Sequence, residues 1–211
     1  MTAGNNDFQN GLHPPQRDLL FLVGASGSGK SVIAERAAKA TGWALFDTDA
    51  EILAQTGRDH ISDIFDSEGE DRFREMEMKC LEQTQLLGAP SIVATGGGLP
   101  AIEGAMSRLN EIGVSVYLKA SAATLWKRLS TDPRALDNRP LLRGDGRTKL
   151  EQLLLVRERA YERASLTIDT GQRSVDDVCA LIVAQIELIE ARINSDSPDQ
   201  PPPSQSSARK S

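Results

Sequence analysis

The run Gly24-Ala25-Ser26-Gly27-Ser28-Gly29-Lys30-Ser31 constrains this chain more than any other stretch. It follows the apolar run 19–23 directly and opens a segment of helical periodicity. Glycines there let successive backbone N–H groups point inward around an anion, and a helix start adds its positive dipole at the same place. Lys30 suits the outer phosphates of a nucleotide as a point charge, and the hydroxyl of Ser31 suits Mg2+. Strand, glycine loop and helix in this order make the Walker A pattern, which selects nucleoside triphosphates but chooses no acceptor. Gly27, Ser28, Gly29, Lys30, Ser31 and Val32 are therefore the candidate ATP-binding residues.

Further apolar runs at 44–46, 92–94, 114–118 and 166–168 alternate with helical patterns at 30–40, 68–87, 101–111, 122–129, 149–164 and 175–193. Strands regularly separated by helices predict an α/β fold, a five-stranded parallel sheet covered on both faces to give three α/β/α layers. Residues 1–17 are polar, with Pro14-Pro15, and read as a flexible lead-in. Residues 194–211 are Ser, Pro, Asp and Gln for the most part. They hold too little apolar surface to offset ordering entropy, so a disordered tail is expected. One domain over 18–193 remains. Within it, 131–148 has neither periodicity but holds Arg134, Arg139, Arg143 and Arg147. Such a basic loop is either a mobile lid or simply solvated.

Charge narrows the partners. The 211 residues carry a net charge of −6, which argues against a nucleic-acid binder. An acidic protein that handles an anion must gather arginines locally, so their positions become the clue. Cys80 and Cys179 have neither paired nor metal-like spacing, and fall on helix faces where buried thiols are ordinary. Leu19 to Val23, the longest apolar run near the start, is too short for a signal sequence or a membrane span. A cytoplasmic protein with no membrane partner is expected, and small size without an apolar zipper favours a monomer.

Four segments bear on the acceptor. Phe46-Asp47-Thr48-Asp49 places two carboxylates at the carboxyl edge of the sheet, and alternation in an extended chain would point Asp47 and Asp49 the same way. One acid near Mg2+ and one near an acceptor hydroxyl suits phosphoryl transfer, but Asp49 also suits a helix cap before Ala50-Glu51-Ile52. Glu70, Arg74 and Glu77 share one helix face. They read either as a solvated ion-pair ladder or as a pair in which Glu77 fixes Arg74 for a bidentate grip on a carboxylate. Gly96-Gly97-Gly98 ends the third strand, either a plain turn or a place where backbone meets ligand. Asn138-Arg139-Pro140-Leu141-Leu142 lies in the basic loop, with Arg157 beyond it.

In this order and spacing, these residues resemble shikimate kinase, a P-loop family of the nucleoside monophosphate kinase-like group, from about Leu19 to Ile189. The resemblance implies transfer of the γ-phosphoryl group of ATP to the 3-hydroxyl of shikimate, with Mg2+ and a closing lid. It implies that Ser31 and Asp47 hold Mg2+, and that Asp49 binds the shikimate hydroxyls as candidate base. Lys30 and Arg139 would act at the phosphates. Arg58, Arg74 and Arg157 would surround the shikimate carboxylate, with Gly96, Gly97 and Gly98 beside it, inside a shikimate-binding region at about 49–77. Glu77 would hold the arginines, and Arg128 and Arg173 would flank adenine. The chain departs from the family pattern at His60, at Asp132 to Asp137, which lengthen the entry to the lid, and at Arg159-Ala160.

Overall fold

The computed structural model describes residues 18–131 and 139–196. Five strands form the sheet: β1 (Leu19–Val23), β2 (Ala44–Asp47), β3 (Ser91–Ala94), β4 (Val114–Lys119) and β5 (Leu166–Asp169). All pairings are parallel, in the order β2-β3-β1-β4-β5. Among the described residues the helices are α1 (Lys30–Thr41), α2 (Thr48–Thr56), α3 (Ile61–Gln83), α4 (Ala105–Ile112), α5 (Ala122–Ser130), α6 (Gly146–Tyr161) and α7 (Val175–Asp196).

The central strand shows why both faces are covered. Every residue of β1 is buried, and alternate side chains enter opposite cores. Leu19, Phe21 and Val23 pack in a cluster with Met106 and Leu109 of α4, Leu125 and Leu129 of α5, and Leu150 of α6. Leu20 and Leu22 pack with Ile33 and Ala37 of α1 and with Ile182 and Ile186 of α7. A continuous apolar run is what a strand buried on both faces requires. The result is the expected three-layer α/β/α arrangement.

Register places the site. Ala94 pairs with Leu22 on one side and Asp47 on the other, so β1, β2 and β3 end together. The phosphate loop, the Asp47–Asp49 segment and the glycine triplet therefore leave the sheet at one carboxyl edge, the usual ligand edge of such sheets.

Several element bounds differ from expectation. The expected helix over 68–87 is α3, which begins earlier, at Ile61, and ends at Gln83. Gly69, at φ 87° and ψ 169°, breaks it into two arms, a backbone state that a side chain would resist. The helix expected from 101 starts at Ala105, after a 3-10 turn at Leu99–Ala101 whose Pro100 favours a tight start. The tail expected from 194 is still helical to Asp196. The rest of the tail and the 1–17 lead-in lie outside the described residues, as do 132–138 of the lid. Beyond these, the lid expected to 148 yields to α6 at Gly146, capped by Asp145 through the Thr148 N–H. Cys80 is buried, whereas Cys179 is only partly so. No helix among the described residues is long and apolar enough to cross a membrane.

Candidate active site

The phosphate loop is closed on itself. Lys30 is buried, and its Nζ donates to the carbonyl oxygens of Gly24 at 2.8 Å and Ala25 at 3.1 Å. Burial lowers its pKa to about 8; Asp49 and Asp47 oppose that shift, while Arg139 and Arg157 add to it. Gly24, Gly27 and Gly29 all take positive φ, a backbone state cheap only for glycine, so the loop needs them to turn into α1. Ser31 Oγ donates to Asp47 Oδ2 at 2.8 Å. The other oxygen of Asp47 accepts from the backbone N–H groups of Asp49 at 3.0 Å and Ala50 at 3.2 Å, which makes Asp47 the cap of α2. The cap expected at Asp49 is therefore displaced by two residues. Asp49 lies in the first helical turn, and that turn, rather than strand alternation, directs its carboxylate.

Beside the loop, the glycine triplet threads between buried charges. Thr48 is fully buried, and its Oγ1 accepts from the Gly96 N–H at 2.8 Å, which ties β3 to the start of α2. A Cβ on Gly96 would stand 2.5 Å from Glu77 Oε1 and 2.6 Å from Asp49 Oδ1. A Cβ on Gly98 would fall 1.8 Å from Nη1 of Arg74. A Cβ at either position would have to displace these charged groups, whereas a Cβ on Gly97 would meet nothing closer than 3.5 Å. The triplet is no plain turn.

Arg74 bonds Glu77 through Nη1 and bonds Glu70 Oε1 through Nη2 at 2.7 Å. Glu70 is 47% exposed and fits the solvated ladder; Glu77 is 1% exposed and does not. Buried Glu77 fixes the guanidinium, the sharper of the two sequence readings. Burial raises the pKa of Glu77 to about 7 against the pull of Arg74. Burial, then Asp47, raises that of Asp49 to about 6, with Lys30, Arg139 and Arg74 pulling it down. Asp49 Oδ1 and Glu77 Oε1 are buried with no hydrogen-bond partner among the described residues.

Two cavities open at this edge. One is walled by Phe65, Phe73, Arg74, Glu77, Gly98 and Arg157. The other is walled by Gly29, Lys30, Ser31, Asp47 and Arg128. Both are bounded by Ser26, Asp49, Gly97 and Arg139, so the two meet there. Arg139 Nε bonds Ser26 Oγ, which holds this arginine on the phosphate loop.

Residues 26–187 match the family model described as shikimate kinase. The chain belongs to the shikimate kinase family. It is thus an enzyme, a P-loop transferase of this family. A shikimate kinase from Chlorobium luteolum is 36% identical over 181 residues, covering 82% of this chain and 87% of that protein. The structure of shikimate kinase from Acinetobacter baumannii in complex with shikimate is 32% identical, with a TM-score of 0.73 over 81% of this chain and 93% of that one. A gluconokinase from Sinorhizobium meliloti shares the fold at 19% identity and a TM-score of 0.55, over 87% of this chain and 99% of that one.

Against the residues expected for a shikimate kinase, most gather and a few do not. Asp49, Arg74, Gly97, Gly98, Arg139 and Arg157 line the first cavity. Gly27, Gly29, Lys30, Ser31, Val32, Asp47 and Arg128 line the second. Ser28 is buried inside the loop, and Gly96 sits behind the lining between the two carboxylates. Arg58 is exposed on the turn between α2 and α3, outside the lining of both cavities. Arg173 is also exposed outside them, its Nε donating to the Asp169 carbonyl oxygen at 3.1 Å. Arg128 is held by Thr170, through the side-chain oxygen at 3.1 Å and the carbonyl oxygen at 2.7 Å. Sequence reasoning missed Ser26 and Tyr161, both in the first lining. Tyr161 follows Arg157 by four residues, a helical spacing that puts the two on one face and was available as a signal.

Proposed function

We propose that this enzyme transfers the γ-phosphoryl group of ATP to the 3-hydroxyl of shikimate, giving shikimate 3-phosphate and ADP with Mg2+ present. Family membership supports ATP and shikimate as substrates. One observation supports the direct transfer: the triphosphate cavity and the arginine-walled cavity meet at Asp49 and Arg139. In-line phosphoryl transfer needs little covalent help and much positioning.

The residues divide the work by chemistry. The N–H groups of Gly27, Ser28 and Gly29 receive the phosphates, and Lys30 exchanges its loop carbonyls for phosphate oxygens. Ser31 and Asp47 offer two hard oxygen donors 2.8 Å apart at the lip of the loop. That fits Mg2+, which takes one or two side-chain oxygens and completes its shell with water and phosphate. When bound, the ion supplies positive charge to the phosphate oxygens. Arg128 flanks the base, and Arg173 joins it on the family resemblance alone.

On the other side, Arg74 and Arg157 grip the shikimate carboxylate, with the glycine turn 96–98 against the ring. Arg58 enters the carboxylate cage on the resemblance alone. Asp49 accepts the hydroxyl proton: its pKa near 6 leaves it mostly ionised at neutral pH, and its Oδ1 has no other partner among the described residues. Arg139 stabilises the charge on the transferred group, and lid closure excludes water.

A coupled ADP-release assay with purified protein, ATP and Mg2+ tests the reading. Shikimate should drive ADP release, while gluconate and nucleosides stay at the ATPase background. Turnover with gluconate and none with shikimate would overturn the acceptor.

A further inference from the structure

We propose that Tyr161 is a positioning residue of the acceptor cavity, whose hydroxyl fixes the Gly97–Gly98 peptide and so leaves Arg157 available to the substrate. This deepens the proposed function and rests on the assignment of that cavity to shikimate.

Tyr161 is the last residue of α6 and is fully buried. Its hydroxyl donates to the Gly97 carbonyl oxygen at 2.6 Å. Arg157, one helical turn earlier, reaches the same oxygen from Nη1 at 3.5 Å, at the limit of a hydrogen bond. The tyrosine bond is the strong one. Burial pushes the Tyr161 pKa up to about 12, so the group stays a donor over the working pH range.

A peptide between two glycines has no side chain to restrain it, so its orientation depends on what its polar groups bond. The turn is tied at one end by Thr48 to the Gly96 N–H, and the guanidinium of Arg74 occupies the space beside Gly98. The Gly97 carbonyl oxygen lies between those ties, and a part-buried carbonyl left without its donor loses a hydrogen bond that held the peptide. Were the tyrosine hydroxyl absent, Arg157 would be drawn onto that carbonyl, and the peptide beside Arg74 could rotate. Both changes fall on the acceptor cavity, since Gly97, Gly98, Arg74, Arg157 and Tyr161 all line it. Of these, the second cavity shares Gly97 only.

A purely structural role would lie in the ring instead. The Tyr161 ring packs on that of Tyr117 at a centroid distance of 5.2 Å, inside the core under β4. Tyr117 provides the control, because its hydroxyl is buried with no hydrogen-bond partner among the described residues.

The test compares Tyr161→Phe and Tyr117→Phe in the full chain by steady-state kinetics with each substrate varied, and by thermal melting. Tyr161→Phe should raise the KM for shikimate roughly tenfold and leave the KM for ATP within about twofold, with its fold intact. Tyr117→Phe should keep both constants at the wild-type values. Four results would overturn the inference: an unchanged shikimate KM in Tyr161→Phe, an equal rise in both KM values, the same rise in Tyr117→Phe, or loss of the fold in Tyr161→Phe. Failure of the proposed function is distinguishable, because then the wild-type enzyme itself shows no turnover with shikimate.

Discussion

The two halves of the cleft are built by different means. The triphosphate half is made mostly of backbone from one continuous stretch, Gly24 to Ser31, with Asp47 added. Its shape follows from local chain geometry and a helix start. The acceptor half is made of side chains drawn from α2, α3 and α6 and of backbone from the turn after β3, with Arg74 held by the buried carboxylate of Glu77. A backbone cradle suits phosphate, whatever carries it; an assembled set of arginines and carboxylates suits an acid of one shape. The lesson is that generic and specific binding sit side by side, and that the specific half depends on long-range packing.

The border residue should show the largest effect. Asp49 bounds both cavities, so Asn there removes the proton acceptor and keeps the shape. kcat should fall by roughly 10²–10⁴, with ATP affinity nearly unchanged, as read by single-turnover rates and nucleotide titration. An unaltered kcat would remove Asp49 from the chemistry and leave the two halves joined by proximity alone.

Next in size is a contrast inside the glycine triplet. Gly96→Ala forces its methyl group between Glu77 and Asp49, and urea denaturation should show a loss of about 1–3 kcal/mol. Gly97→Ala meets only ordinary contacts and should change stability by about 0.5 kcal/mol or less. Equal losses would mean that the packing of the acceptor half is looser than its side chains imply.

The smallest effect concerns pH. Glu77 has a folded pKa of about 7 against an ordinary 4.5, because burial disfavours its charge. Between those values the folded enzyme holds more protons at this group than the unfolded chain, so its contribution to stability declines as pH rises through that window. Glu77→Gln removes the titration. The unfolding free energy of the wild type should therefore fall relative to that of the Gln variant between about pH 5 and about pH 7.5. Parallel behaviour of the two proteins would place the Glu77 pKa near its ordinary value.

Legibility in the sequence follows the same division. Each strand was visible to within about one residue: β1 is buried on both faces and so apolar throughout, while the more exposed edge strands β2 and β5 showed as short apolar runs between helical patterns. The phosphate loop was legible for the same reason of locality. Ambiguity remained wherever burial decides the role. Glu70 and Glu77 look alike on a helix, and only packing against the sheet edge buries one and leaves the other wet. Tyr161 went unread because its partner, Gly97, is distant in sequence. The break at Gly69 in α3 was not legible, since a lone glycine within a helical pattern can be tolerated. Arg58 shows the limit of motif reading, for it keeps its place in the pattern while its side chain lies outside both linings.

The most direct measurement is a crystal structure of this enzyme with ADP, Mg2+ and shikimate bound. The shikimate carboxylate should lie between Arg74 and Arg157, with a ring hydroxyl on Asp49 facing the β-phosphate across Arg139. A carboxylate turned away from both arginines, or an acid bound outside the cavity that meets the phosphate loop, would contradict the account.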